Sequence, residues 1–426
     1  MQNMTITANR QLNKNQMLVL FVLFLFFPPF ISLPMLVGYV FMNEKKGNYI
    51  YYLLFLCLAS YFAAINATKT PGSGGDQFRY CIAYLNVPTI GFWKSLIFIY
   101  GNEYASDPGR TKISGEFMNG IYNYIGYYIT FGKYYLFAFI YTFIEYMLIF
   151  WGFFKFCQNL KKPHIPIICG ALIISFFYLF FQYTLHIQKQ FFAQAIMMYV
   201  LGSLSYEGKM THKLWLISVV ALFTHASVIW YFPFLSIPKF RKPLNKVGLI
   251  LFSLIFCALI FFGPSIAGDV TSGANSSALS YSIGRVANAE NDYDGMTLNM
   301  LQVIVVGIPM AAITIRQLWM NRKKLKGYSA FILNVVLMLL LSIVAMNRQP
   351  IAQYRYFMMI FAFMPFVYPF AFNRIKFRDA FLVVLSVVMI VWYYYQFDKI
   401  IYEYASEVEI VSVPPILLTF FCNLGF

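Results

Sequence analysis

Charged side chains are scarce in this chain: Asp, Glu, Lys and Arg make up 11% of its 426 residues, where an ordinary soluble domain carries roughly a quarter. With 60% hydrophobic residues, 47 Phe and 33 Tyr, it lacks the polar surface of a water-soluble fold and reads as an all-α polytopic membrane protein. Acids are scarcest, 16 Asp and Glu against 32 Lys and Arg, for a net charge of +16. The basic residues fall in short clusters between apolar runs rather than on one soluble face. The excess therefore reads as membrane orientation, and no nucleic-acid partner is expected. No two of the six cysteines have CxxC spacing, and Cys57, Cys157, Cys169 and Cys257 sit inside apolar runs, so neither a zinc site nor a disulfide framework is indicated. No cluster of His, Cys and carboxylates has ligand spacing; no metal and no other cofactor is expected. A clear internal repeat is also missing. The first apolar run, from about Met17, has two prolines in its middle and no A-x-A-like site after it, so it is expected to be a retained span rather than a cleaved signal.

What the chain has is apolar length. A span needs roughly 20 apolar residues, and such runs occur near 17–42, 49–66, 133–157, 163–185, 187–204, 246–264, 298–315, 327–345, 350–372 and 379–395. They predict a single integral membrane domain over 1–426 with about ten transmembrane helices. The connectors "NLKK", "KFRK", "KKLKG" after Arg322, and "NRIKFR" are basic and are assigned to the cytoplasm. Segment 265–297 carries Asp269, Glu290, Asp292 and Asp294 against Arg285 alone and is assigned outside. The tail 396–426, with Asp398, Glu403, Glu407 and Glu409, goes with it.

The run "KLWLISVVALFTHASVIWYFPFLSIPKFRK" breaks this alternation, because Lys209 and Lys213 flank one end and Lys239, Arg241 and Lys242 the other. A re-entrant helical hairpin over 213–237, broken near Thr224, His225, Ala226 and Ser227, resolves it, since irregular backbone at membrane depth is tolerated beside protein or a water-filled cavity. The alternative is a plain span with an orphan histidine. With the hairpin, 67–132 and the amino terminus lie outside, the latter against a weak contrary vote from Arg10 and Lys14.

The outer segment 67–132 contains "TPGSGGDQFRY", whose glycines let backbone approach a ligand and whose Asp76 and Arg79 are neighbours on a helical turn. It also contains "GRTKISGEFMNGIYNYIGYYITFG", read as a helix lying in the outer interface with Glu116 near its start. His186, Lys189 and Gln190 stand at the outer mouth of one run, and Arg348 and Arg355 at that of another. Charges at membrane depth are costly and mark a cavity or pathway, although any one of them alone is equally an ordinary snorkelling residue. Several cations, an acid and many tyrosines suit a lipid-linked sugar diphosphate: Lys and Arg for phosphate oxygens, aromatic rings for sugar faces.

The order of short motifs resembles the EpsG/Wzy-type bacterial polysaccharide polymerases. "GGDQFRY" follows the second span, "GEFMNGIY" puts an acid before an aromatic segment, "KQFFAQA" opens a span, "THAS" follows an apolar half helix, and "RQPIAQYRY" comes late. The likeness runs from about residue 17 to 372, each motif being short. It departs at Lys189, where the family often has Arg, and at the additional Arg79. It implies a GT-C-like multi-span glycosyltransferase of the bacterial plasma (inner) membrane. Such an enzyme transfers a growing glycan from undecaprenyl diphosphate to a lipid-linked oligosaccharide repeat unit of O-antigen or capsule type at the extracytoplasmic face. The implied partners are the undecaprenyl-diphosphate-linked oligosaccharide, membrane lipid and a chain-length regulator protein.

The chemistry assigns roles. Fixed cations stabilise the departing diphosphate: Arg348, Arg355 and Lys189, then Arg79. A carboxylate or imidazole takes the proton of the attacking hydroxyl: Asp76 first, with Glu116 and His225 behind it. Gln190, Tyr80, Tyr354 and Tyr356 are assigned to sugar or phosphate contacts. Two other readings stay open, a polysaccharide transporter or flippase, and an enzyme with another acceptor, an O-antigen ligase-like protein or an acyltransferase.

Overall fold

The computed structural model describes residues 12–44, 47–69, 75–97, 117–271, 300–346, 350–397 and 405–421. Among them every regular element is a helix. In chain order these are α1 (Lys14–Phe26), α2 (Pro29–Met42), α3 (Tyr49–Ala67), α4 (Gly75–Leu85), α5 (Val87–Ile97), α6 (Phe117–Ile129), α7 (Tyr134–Cys157), α8 (His164–Ser175), α9 (Tyr178–His186), α10 (Gln188–Glu207), α11 (His212–Thr224), α12 (Phe232–Ser236), α13 (Lys246–Thr271), α14 (Met300–Met320), α15 (Gly327–Ala345), α16 (Pro350–Phe361), α17 (Met364–Val367), α18 (Ile375–Phe397), α19 (Glu407–Ser412) and α20 (Pro415–Phe421). Four of them, α3, α7, α14 and α15, are long and apolar enough to cross a membrane, or five spans if α8 and α9, bent by 57°, count as one. Helices are what lipid demands, because backbone N–H and C=O groups find no water there.

Several long apolar runs are broken. Pro28 and Pro29 split 17–42: Pro29 opens α2, where a missing N–H costs nothing. Polar Gln188, Lys189, Gln190 and Gln194 keep α10 short of the hydropathy of a simple span, although it is 20 residues long. Helix α13 continues to Thr271, through the first residues of the segment expected outside from 265; residues 272–297 lie outside the described residues. The expected tail holds α19 and α20, which pack on α2 and α3; Tyr61 Oη donates to the Ile410 carbonyl at 3.1 Å.

At the centre α3 runs antiparallel to α7. Phe55 stacks on Phe150, Phe62 stacks on Tyr146, and Asn66 Nδ2 donates to Thr142 Oγ1 at 3.2 Å and to Thr184 Oγ1 of α9 at 2.8 Å. Helix α10 runs parallel to α7: Tyr141 packs on Phe192 near their starts, and Gly152 meets Gly202 further along. A Cβ on either glycine would overlap the other helix's backbone. Close approach of this kind is how helices associate where lipid is as apolar as the side chains themselves.

Helix α11 ends at Thr224, His225 is extended, and the chain turns through 226–231 into α12. Asn334 Nδ2 holds the Phe240 and Lys242 carbonyls at 2.8 and 3.2 Å. Tyr328, near the start of the same helix, packs on Phe156 at the end of α7. Both ends of 212–241 therefore reach the end of the bundle where α7 and α10 finish. Arg378 donates to the Lys161 and Lys162 carbonyls at 2.8 and 2.9 Å, and Arg316 to the Ala371 carbonyl at 2.8 Å. The four basic connectors thus gather at this one end.

Candidate functional site

The opposite end collects the finish of α3, helices α4 and α6, the starts of α7, α10 and α16, and the α9–α10 junction. Lys189 is 5% exposed, in the first turn of α10, with Nζ 5.6 Å from the centroid of the Tyr80 ring of α4. That distance permits a cation–π contact. Gln190 Nε2 donates to the Arg355 carbonyl at 3.1 Å, fixing α16 against α10. Tyr354 and Tyr183 share a hydrogen bond between their hydroxyls, and Trp230 Nε1 donates to Tyr356 Oη. Tyr231 Oη donates to Gln194 Oε1 at 2.7 Å, so the turn after His225 is tied to α10 as well as to α16.

His225 serves this turn. Its Nδ1 accepts from the Ser227 N–H at 3.2 Å and lies 2.8 Å from Ser227 Oγ. Beside it, Thr224 Oγ1 is 3.0 Å from Tyr122 Oη of α6, and the Tyr122 ring packs on Phe192 of α10. The structure therefore brings Tyr80 to Lys189, Gln190 to Arg355, and Tyr354 and Tyr356 to the flanks of α9 and the 226–231 turn. Arg79 is half-buried one residue before Tyr80. Asp76 is the second residue of α4. The Asp76 carboxyl, Glu116 and Arg348 lie outside the described residues.

Two buried charges at or below this end escaped the reading of the sequence. Glu145 of α7 is 0% exposed, and neither carboxylate oxygen has a hydrogen-bond partner among the described residues. Lys69, two residues past α3, is 4% exposed; burial pushes its ammonium down to about 7. The available signals were the single acid inside "FIEYMLIF" and the first cation after the second span. An Asp-x-Asp pair was also passed over: Asp292 and Asp294 lie outside the described residues. Among the described residues no three His, Cys, Asp or Glu side chains converge to hold a metal ion.

A family model for the EpsG family matches residues 52–409. The chain belongs to the EpsG family. The match runs from α3 into α19 and includes every helix that builds the cation-bearing end. No curated protein and no solved structure matches the chain. EpsG membership and the apolar helices together make this a membrane protein of polysaccharide polymerase type. Within that family's span, the residues that the structure joins most directly are Tyr80, Lys189, Gln190 and Arg355.

Proposed function

We propose that the protein is a membrane glycosyltransferase that moves a growing glycan from undecaprenyl diphosphate to the non-reducing end of a lipid-linked repeat unit at the outer face of the plasma membrane. The observation that carries this reading is the buried Lys189 over Tyr80, with Gln190 beside it locking α16 and Arg355 in place. Two cation-bearing segments are thereby fixed before substrate arrives, as charge stabilisation in a transition state requires. About ten spans and a re-entrant 213–237 turn are the membrane arrangement we infer. The four basic connectors at one end support it, with the site at the other end facing out.

In the reaction the bond between the donor sugar's anomeric carbon and the diphosphate oxygen breaks, and its electron pair leaves with the diphosphate. The acceptor hydroxyl oxygen bonds to that carbon. Its proton passes to a carboxylate, for which Asp76 is the first candidate and Glu116 the second. His225, whose Nδ1 accepts from the Ser227 N–H, carries its proton on Nε2 when neutral and stands behind the two carboxylates. Lys189, Arg355 and Arg348, with Arg79, face the diphosphate; Tyr80, Tyr354, Tyr356 and Gln190 line the sugar path. Purified protein given lipid-linked repeat units in detergent tests this. Wild type extends chains, and Lys189→Ala or Arg355→Ala lowers the rate at least about a hundredfold, the scale of losing a fixed charge that acts in the transition state. Transport of the units without any extension would overturn it.

A further inference from the structure

A groove of about 320 Å³ opens between α13 and α14 with α15 as its floor, within the roughly 300–1,000 Å³ of small-molecule sites. Leu249 and Leu254 form one wall, Leu318 and Trp319 the other, and Leu337 and Leu341 the floor. It belongs to the basic end of the bundle, away from Lys189 and Tyr80. Here α14 widens into a π turn over Arg316–Met320. Arg316 and Gln317 reach away from the groove to the Ala371 and Phe370 carbonyls at 2.8 and 2.6 Å. Ile315, Leu318 and Trp319, spaced i, i+3 and i+4, are left to face it. Ser253 also lines the groove, but its hydroxyl donates to the Leu249 carbonyl of its own helix at 2.9 Å. Water finds no partner along such a wall, so the occupant that fits it is hydrocarbon.

One end of the groove is marked by charge. Lys246, the first residue of α13, holds Nζ 4.8 Å from the centroid of the Trp319 ring, a cation–π distance. Asn245 fixes this helix start by accepting from the Gly248 N–H at 2.6 Å. Tryptophan is enriched at the headgroup level of a bilayer, and from Lys246 to Leu254 the helix rises about 12 Å away from that level. The flanking connectors carry Lys239, Arg241 and Lys242 before α13, and Arg322, Lys323 and Lys324 after α14. No Asp or Glu occurs from Gly208 to Gly268 or from Gly295 to Arg378, so neither wall brings an acid of its own to this mouth. Cations beside a gap between membrane helices suit an anionic lipid headgroup.

We propose that this groove binds one acyl chain of an anionic phospholipid from the leaflet at the basic end, with Lys246 meeting the headgroup phosphate. The chain fills the space between α13 and α14, both of which pack on α15. The site is separate from the donor site, whose diphosphate is assigned to the opposite end of the bundle.

The test uses the full-length protein in a neutral detergent, with phosphatidylglycerol or phosphatidylcholine whose brominated acyl chains quench nearby tryptophan. The readout is the saturable quenching that Trp319→Phe abolishes, which removes the remaining tryptophans from the signal. Wild type shows it at lower concentration with phosphatidylglycerol than with phosphatidylcholine. Lys246→Gln, a change at an exposed residue, cuts that preference about fivefold, the scale of one lysine beside an anionic headgroup, and leaves phosphatidylcholine as it was. Ser253→Leu, which takes up groove volume, weakens both lipids alike. Absence of saturable quenching at Trp319, equal concentrations for the two lipids in wild type, or an unchanged preference in Lys246→Gln would each overturn the proposal. Competition by glycerophosphoglycerol, the headgroup without chains, at the concentration of the lipid would reduce the site to an anion contact and overturn it. Stronger displacement by undecaprenyl phosphate than by unbrominated phosphatidylglycerol would give the groove to a polyprenyl chain and overturn it as well.

Discussion

Lys69 and Glu145 each put an ionisable group where water does not reach, and the two differ in what surrounds them. Glu145 sits inside α7, between Thr142 and Tyr146 of a helix packed on α3 and α10. Lys69 stands past the last turn of α3, at the end where other cations gather. Burial holds Lys69 at about 7 against 10.5 in the unfolded chain, so the sign can be worked out. Below pH 7 the fold carries the cost of a buried charge. As pH rises through 7 towards 10.5 the folded protein sheds that proton while the unfolded chain keeps it, and stability increases. We expect the apparent unfolding temperature in detergent to rise from about pH 7 towards 10, and Lys69→Met, which has no proton to lose, to flatten that rise; an unchanged slope in the variant would remove Lys69 as its source.

Among the elements, the α7–α10 pair sets the position of Lys189. Its close approach depends on Gly152 and Gly202, where any Cβ would strike the facing backbone. Gly202→Ala and Gly152→Ala should therefore force the helices apart at a cost of about 1–3 kcal/mol, the usual range for overpacking. The expected readout is a lower apparent unfolding temperature in detergent together with reduced chain extension; an unperturbed temperature would show that the crossing yields. How far such elements are legible in the sequence follows from their physics. Helices were legible because lipid permits little else, and the break at His225 because conflicting flanking charges demanded one. The bend between α8 and α9 was not, since "SFFY" holds neither Pro nor Gly to announce it. Lys189 and Gln190 stand at the mouth of an apolar run and Tyr80 in the motif after the second span, and the packing of Lys189 over Tyr80 is what the structure adds. Glu145 and Lys69 were not legible: their burial depends on which face of α7 turns to α3 and on how Thr68 and Asn66 pin the chain, and neither is a property of local composition.

At the scale of the whole molecule, charge and chemistry separate along the bundle axis. The connectors around Lys161, Arg241, Lys323 and Arg378 meet at one end, held by backbone carbonyls that accept from Arg378, Arg316 and Asn334. Lys189, Lys69, Arg79 and Arg355 lie at the other. Helix α7 joins the two, from Lys133 at its cap to Cys157 before the "NLKK" turn. Its 24 residues rise about 36 Å at 1.5 Å each, enough for a hydrocarbon core of roughly 30 Å. If the basic end is cytoplasmic, the proposed donor site faces outward. Lys133 and Lys161 are both exposed and lie just beyond opposite ends of this helix, so Lys133→Cys and Lys161→Cys read the orientation directly. The described native thiols Cys57, Cys81, Cys157 and Cys169 are buried; with Cys257 and Cys422 replaced by Ser, a membrane-impermeant maleimide reports the introduced site. We expect Lys133→Cys to react in intact cells and Lys161→Cys only after permeabilisation. The reverse pattern would put Lys69 and Lys189 on the cytoplasmic side, and extension of an exported glycan would then have no access to them.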